Sequence, residues 1–177
     1  MATVQEPARL LDNSFLKILP APLREPRRAW LAIPLAWLMS FAGSLALAAL
    51  VRWIAPGAES IEIPPLPAWA IILGFAILSP VIESILMGLG LTLLLRVVPP
   101  APAILVSAIL WGILHSLQVP VWGLAIWWPF LIFSTLFVVW RQRGFWTGVW
   151  VAAAAHFLQN LGPSLAIAFP NLLHSLG

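Results

Sequence analysis

Long runs of apolar residues dominate this sequence, and most of the loops between them are only a few residues long. Because a helix needs roughly 20 apolar residues to cross a bilayer, the runs predict an all-α fold. We expect a polytopic membrane helix bundle with about five to six transmembrane segments. The sixth run is short and contains Pro170, so we expect it to span only partly or to re-enter. The runs are residues 29–51, 68–95, 101–118, 121–140, 145–161 and 163–176.

The composition excludes an ordinary soluble domain and several kinds of chemistry. Only 8% of the 177 residues are charged and 62% are hydrophobic, whereas soluble domains carry about 25% charged residues. Cysteine is absent, so neither disulfides nor thiolate catalysis can occur. The formal net charge of +3 comes from a basic N-terminal segment. This distribution indicates lipid headgroups as partners and predicts no nucleic-acid partner.

The arginines divide the chain into regions and predict its orientation. Residues 1–28 form a polar N-terminal segment suited to an interfacial position, and residues 29–177 form a single transmembrane domain. By the positive-inside rule, the arginine-bearing ends of the runs face the cytoplasm. We therefore expect a multi-pass protein of the cell (inner) membrane with a cytoplasmic N-terminus. The arginines at these ends are Arg24, Arg27, Arg28, Arg96, Arg141 and Arg143.

One acidic residue, Glu83, lies inside an apolar run, and it is the only acidic residue in the last 115 positions. Inserting a carboxylate at mid-membrane depth costs about 2.5–3.5 kcal/mol, so a compensating partner is expected. No lysine or arginine lies within the same run, which makes histidine the natural partner. The run is interrupted at Ser79-Pro80, one turn earlier. Pro80 removes a backbone hydrogen bond and tends to kink the helix, and irregular backbone at this depth usually lines a cavity. We therefore expect Glu83 beside a water-accessible pocket.

Three ionisable side chains from different runs lie at one predicted depth. Glu83 lies 13 residues from Arg96, at the predicted cytoplasmic end of its run. His115 and His156 lie 14 and 12 residues from the predicted cytoplasmic ends of their own runs. At 1.5 Å per residue, each lies about 18–21 Å into the membrane. Asn160 shares a helical face with His156 through i,i+4 spacing. An ordinary interhelical hydrogen bond remains an alternative role for His156 or Asn160.

These four residue types are sufficient for amide hydrolysis. The reaction needs a base for water, donors for the developing oxyanion and a proton for the leaving amine. Glu83 with His115 can supply the base and later return the proton, while His156 and Asn160 can supply two donors. The sequence contains no activated serine, no HExxH motif and no P-loop, so we predict no metal and no cofactor.

Three short motifs carry a family resemblance. The stretches "VIESILMG", "WGILH" and "HFLQN" resemble the motifs Glu-Glu-x3-Arg, Phe-x3-His and His-x3-Asn of the CAAX-protease and bacteriocin-processing family of intramembrane glutamic endopeptidases. The resemblance covers a motif-bearing core at residues 68–162. Trp111 replaces the phenylalanine of the second motif. In the first motif, Ser84 replaces the second glutamate and Gly88 replaces the arginine.

The resemblance implies an intramembrane endopeptidase whose catalytic residues are Glu83, His115, His156 and Asn160. In the family, the first two positions activate a water molecule and the last two stabilise the oxyanion. The implied partners are membrane lipids and a peptide or protein substrate, such as a C-terminal tail or a sorting signal. The second glutamate and the arginine, both missing here, are regarded as supporting residues.

Two other functions remain open at the level of sequence. In the first, Glu83, His115 and His156 are metal ligands or a proton relay in a metal- or proton-handling membrane protein. In the second, the chain is a non-catalytic membrane scaffold or immunity protein that keeps the same fold. The altered first motif favours this second alternative.

Overall fold

The computed structural model describes residues 10–57 and 65–171, and every regular element within these ranges is helical. The predicted all-α, polytopic helix-bundle class is confirmed. By length and composition, three of the described helices can cross a membrane: α2, α3 and α5 together with the turn that follows it. The helices are α1 (Ala21–Arg24), α2 (Ala29–Ile54), α3 (Ala68–Leu94), α4 (Pro100–Ser116), α5 (Gly123–Trp140) and α6 (Phe145–Ala168).

Helix α5 lies at the centre of the bundle and packs against α2, α4 and α6. It is apolar on every side, as expected for a helix that is surrounded by others. Phe130, Phe133 and Phe137 are all at most 2% exposed and form the middle of the core. At the start of α5, a Cβ on Gly123 would lie only 1.9 Å from the Gly112 carbonyl oxygen of α4. This close backbone contact brings the end of α4 against the phenylalanines of α5.

The N-terminal segment folds back onto one end of the bundle. Leu11, Leu16 and Leu23 are buried, and α1 packs against α2 and α5. The Arg24 side chain pairs with Asp12 and donates through Nε to the Leu19 carbonyl oxygen at 2.8 Å. These contacts fix the segment against the helix ends by burying its leucines.

The arginine-bearing loops meet at this same end. Arg143 donates to the Pro26 carbonyl oxygen at 3.2 Å. A cavity of about 620 Å³ is lined by Leu10, Arg96 and Arg141, which come from the N-terminal segment, the α3–α4 loop and the α5–α6 turn. The basic residues of these three segments are therefore grouped on one side of the bundle, as expected if the intervening helices run antiparallel.

Helix α3 is continuous across Ser79 and Pro80, where the sequence suggested an interruption. The residues before Pro80 form a π-helical stretch, Ile72–Leu78, and the Ser79 N–H donates to the Gly74 carbonyl oxygen, five residues earlier. A π-helical turn inside an α-helix is a local widening that accommodates one extra residue. The predicted irregularity is therefore present, but it widens the helix and does not break it.

Helix α6 also continues through a proline. The sequence suggested one segment at 145–161 and a separate short one from 163, whereas the structure forms a single helix from Phe145 to Ala168 that contains Pro163. Proline is tolerated in membrane helices because neighbouring groups satisfy the carbonyl that it frees. The expectation of a separate segment is therefore wrong for residues 163–168. Residues 172–176, with His174, lie outside the described residues.

Candidate active site

Glu83 of α3 and His115 of α4 face each other across the helix pair. The distance from Glu83 Oε2 to His115 Nε2 is 4.0 Å, and the two side chains are 20% and 12% exposed. This separation is too long for a direct hydrogen bond. The structure thus brings the carboxylate and the imidazole together and leaves a short gap between their reactive atoms.

The Glu83 carboxylate is held by a residue one turn earlier on the same helix. The Ser79 hydroxyl donates to Glu83 Oε1. The other oxygen, Oε2, is buried and has no hydrogen-bond partner. One oxygen is therefore anchored, and the free oxygen is the one that faces His115.

The His115 ring is fixed through its other nitrogen. Its Nδ1 lies 2.8 Å from the Trp111 carbonyl oxygen. Because a carbonyl oxygen only accepts, Nδ1 carries the proton of this bond, which leaves the Nε2 lone pair of a neutral ring directed towards Glu83. The Trp122 indole packs edge-on against the imidazole with centroids 5.1 Å apart. The local contacts thus select both the tautomer and the orientation of His115.

His156 of α6 contacts the same aromatic cluster as His115. It is 4% exposed, and its ring stacks on Phe133 at a centroid distance of 4.6 Å. Phe130 contacts both imidazoles, with centroids 5.3 Å from His156 and 5.5 Å from His115. The Nδ1 atom of His156 is buried without a hydrogen-bond partner. The structure therefore brings His156 and His115 against the same phenylalanine ring.

Asn160 makes an interhelical hydrogen bond, the alternative role that the sequence left open for it, to a partner that the sequence did not indicate. Its Nδ2 donates to the Phe75 carbonyl oxygen of α3 at 3.0 Å. This bond uses one of the two amide hydrogens, so the second N–H and the amide oxygen remain available. The neighbouring Gln159 turns to α2, where it accepts from Ser40 Oγ at 2.9 Å and donates to Ser44 Oγ at 3.4 Å.

A comparison with family models identifies the group of proteins to which this architecture belongs. The model described as Type II CAAX prenyl endopeptidase Rce1-like matches residues 64–162. The match covers more than half of the chain and contains all four candidate residues. The chain belongs to this Rce1-like family. No curated protein and no solved structure matches it.

Membership in the Rce1-like family agrees with the resemblance found in the sequence, and its range nearly coincides with the predicted core at 68–162. At the level of the family, the chain is a membrane protein of the CAAX-type intramembrane protease group. Such a protease acts on a peptide or protein substrate in a lipid environment. The roles of individual residues are a separate question, which depends on the geometry of this chain.

The two altered positions of the first motif are both buried. Ser84 is fully buried, and its hydroxyl has no hydrogen-bond partner. At Gly88, a Cβ would lie 2.7 Å from Cε2 of Phe137 on α5. The Phe137 ring therefore occupies the space in which an arginine side chain at position 88 would begin.

This packing predicts that any side chain at Gly88 destabilises the fold. Gly88→Ala should lower the free energy of unfolding by about 1–3 kcal/mol, the usual cost of overpacking a core, because the new methyl group meets Phe137. Gly90→Ala is the matched control, since a Cβ at Gly90 has no atom within 4 Å. Unfolding of both variants in detergent provides the measurement. Equal stability of the two variants would contradict the claim that the Phe137 ring fills the space beside Gly88.

An apolar groove lies between α3 and α4, the helices that carry Glu83 and His115, although neither of these two residues lines it. It encloses about 530 Å³ and is lined chiefly by leucines of the two helices. At one end, Leu86 and Met87 lie about one turn beyond Glu83, while Trp111 and Leu114 flank His115. An apolar chain in this groove would therefore have one end within about one helical turn of Glu83.

Sequence reasoning missed the residues that orient and enclose the four candidates. Ser79 had a detectable signal, because it precedes Glu83 by four residues and so shares its helical face. Trp122, Phe130 and Phe133 had none, since their contacts with the histidines depend on how α5 packs. Within residues 10–57 and 65–171, no three His, Cys, Asp or Glu side chains are grouped so as to hold a metal ion.

Proposed function

We propose that this chain hydrolyses a peptide bond within or near the bilayer, using a water molecule activated by Glu83 and His115. The observation that carries this proposal is the 4.0 Å gap between Glu83 Oε2 and His115 Nε2. A single water molecule can reach both atoms at hydrogen-bond distance. The absence of any other partner on Glu83 Oε2 leaves that oxygen available to accept a proton.

The reaction proceeds by direct attack of water. As the water oxygen forms a bond to the carbonyl carbon, its proton passes to the Glu83 carboxylate, with His115 Nε2 aligning the attacking molecule. The tetrahedral intermediate then collapses, the C–N bond breaks, and the proton held by Glu83 moves to the leaving amine. Proton uptake and return balance within one cycle, so no covalent intermediate with the protein is needed.

His156 and Asn160 form the donor set for the oxyanion in this proposal. His156 Nδ1 has no partner in the structure, and Asn160 retains one amide N–H beyond its bond to Phe75. Both residues project from the same face of α6. Preorganised donors in apolar surroundings stabilise developing negative charge strongly because they need no reorientation during the reaction.

Asn160→Ala is expected to lower kcat by about 10²–10³, the usual loss for one oxyanion donor. The comparison is Gln159→Ala, which removes an adjacent amide that bonds α2 and should leave kcat close to that of the wild type. Cleavage rates for the two variants in liposomes provide the measurement. Turnover that survives in Asn160→Ala would remove Asn160 from the donor set.

For the substrate, we favour a C-terminal tail that carries an apolar chain, with a C-terminal sorting signal as the other candidate. The family description reads CAAX prenyl endopeptidase, and the leucine-lined groove between α3 and α4 suits a hydrocarbon chain that reaches Leu86, one turn from Glu83. The grouping of Arg96 and Arg141 at one end of the bundle supports a cytoplasmic N-terminus in the cell membrane. Cleavage of prenylated and unprenylated versions of one peptide tests the role of the groove.

A non-catalytic membrane scaffold or immunity protein is the second candidate. It is favoured by Ser84 and Gly88, because Phe137 fills the place of the family's supporting arginine. Glu83→Ala discriminates between the two functions in cells. Full biological function of this variant would favour the scaffold, and loss of function with normal protein levels would favour the protease.

A further inference from the structure

Pro80 leaves one carbonyl oxygen of α3 without a backbone donor. In the π-helical stretch, the Ser79 N–H donates to Gly74, five residues earlier. The next pair in this pattern would join Pro80 to Phe75, but proline has no N–H. Phe75 belongs to α3, which is long and apolar enough to cross a membrane. A carbonyl with no donor is costly in that environment because no water can replace the missing bond.

The side chain of Asn160 supplies the missing donor. Its Nδ2 lies 3.0 Å from the Phe75 carbonyl oxygen. Asn160 belongs to α6, one turn beyond His156, whereas Phe75 lies on α3, two turns before Glu83. The hydrogen bond therefore joins the two helices that carry His156 and Glu83.

We propose that Asn160, besides the oxyanion role proposed above, has a positioning role: one N–H of its amide replaces the backbone N–H that Pro80 lacks and so fixes α6 against the widened turn of α3. This turn leads directly into Ser79, which holds the Glu83 carboxylate. Fixing the turn sets the position of Glu83 relative to His156. The catalytic consequence rests on the proposed function, whereas the pairing of Asn160 with the carbonyl freed by Pro80 stands on its own.

Gln159 shows what an ordinary interhelical amide does in this chain. It bonds the hydroxyl groups of Ser40 and Ser44 on α2, and neither partner has been freed by a proline. Such bonds contribute a little to packing. The bond made by Asn160 differs because its acceptor carbonyl lacks a backbone donor, and one identifiable residue, Pro80, is the cause. The two interactions should therefore respond differently when that residue is changed.

A double-mutant cycle between Asn160→Ala and Pro80→Ala tests the pairing. Alanine at position 80 restores an N–H, so Phe75 gains a backbone donor from residue 80 if the π-helical turn persists, or from Ser79 if the turn relaxes to α-helix. Asn160→Ala should lower the folding equilibrium constant about 3- to 20-fold in the native background, the span of measured membrane hydrogen bonds. In the Pro80→Ala background, we expect a change of less than about twofold, because coupling appears only between groups that share an interaction.

Gln159→Ala is the matched control, and its effect should be the same in both backgrounds. Reversible unfolding of the purified full chain in mixed detergent micelles provides the equilibrium constants. An equal loss for Asn160→Ala in both backgrounds, or no loss in the native background, would overturn the proposal. Because no substrate is involved, a protein that proves to have no protease activity still tests the pairing.

A spectroscopic measurement avoids any dependence on the Pro80→Ala variant. An isotope label on the Phe75 carbonyl group gives an infrared band whose frequency rises when its hydrogen bond is lost. Asn160→Ala should shift this band to higher frequency, and Gln159→Ala should not. A band that does not move in Asn160→Ala would overturn the proposal even if the proline variant failed to fold.

The catalytic consequence has its own readout. With a cleavage assay, Pro80→Ala should recover part of the kcat lost in Asn160→Ala, with KM unchanged, because the turn before Glu83 regains a hydrogen bond. No recovery of kcat, together with intact stability coupling, would overturn the positioning role in catalysis and retain the structural pairing. No cleavage by the wild-type protein would instead count against the proposed function.

Discussion

Replacing Glu83 with glutamine should lower kcat for peptide cleavage by up to about 10⁴, the upper range for loss of a general base. A glutamine oxygen can still accept the hydrogen bond from Ser79, so the shape of the site is retained while the ability to take a proton is lost. Single-turnover cleavage of a C-terminal peptide by protein reconstituted in liposomes provides the measurement. The same preparation should unfold at the same detergent concentration as the wild type.

Glu25→Gln serves as the control for this prediction. Glu25 lies just after α1 in the N-terminal segment, at the end of the bundle that bears the arginines, so its substitution should leave cleavage unchanged. Wild-type turnover by Glu83→Gln would remove the water-activation mechanism. Loss of turnover in both variants would point to a general effect of removing an acidic group.

Replacing His115 with alanine should lower kcat by about 10²–10⁴, again the range for acid–base participation. The variant removes the nitrogen that lies 4.0 Å from Glu83 Oε2 and leaves an imidazole-sized space beside Trp122 and Phe130. The same cleavage assay provides the measurement. His174→Ala is the comparison, since this third histidine lies outside the range that matches the family, residues 64–162.

Added imidazole distinguishes a chemical role of His115 from a packing role. If the ring aligns or deprotonates water, free imidazole should enter the vacated space and restore part of the rate to His115→Ala. Imidazole should not restore the cleavage rate of Glu83→Gln, because that variant lacks the carboxylate. Recovery of both variants, or a His115→Ala rate equal to that of the wild type, would contradict the assigned role.

The meeting of Glu83 and His115 could be predicted because depth along a helix follows directly from residue count. Each helix rises 1.5 Å per residue, so equal distances from the membrane surface place side chains at one level. The direction of each side chain around its helix does not follow from this count. It depends on packing and on the π-helical stretch before Pro80, which changes the face on which preceding residues lie. The bond from Asn160 to Phe75 was therefore not predictable from spacing alone.

The prolines show where sequence reasoning about the helices was limited. Ser79–Pro80 and Pro163 suggested breaks, but α3 and α6 continue through both sites. In lipid, an open backbone has no water to bond, so a helix that absorbs a proline is favoured over one that ends there. The compensation at Pro80 comes from Asn160, which is 80 positions away in the chain and therefore invisible to any local pattern.

The altered first motif was visible in the sequence, but its structural consequence was not. Ser84 and Gly88 could be recognised as departures from the family pattern by reading the residues. The Phe137 ring fills the space beside Gly88. This contact depends on the close packing of α5 against α3. Ser79 then remains the residue that holds the Glu83 carboxylate, and its i,i+4 spacing was the available signal that sequence reasoning overlooked.

The central claim is that water, activated by Glu83 and His115, attacks the peptide bond directly. Cleavage of a prenylated C-terminal peptide in ¹⁸O-labelled water with hydroxylamine present tests this claim most directly, with the products analysed by mass spectrometry. We predict one ¹⁸O atom in the new carboxyl group and no hydroxamate, and no cleavage by Glu83→Gln. A hydroxamate product would reveal an acyl intermediate on the protein, and labelled product from Glu83→Gln at the wild-type rate would show that this carboxylate does not activate the water; either result would contradict the account.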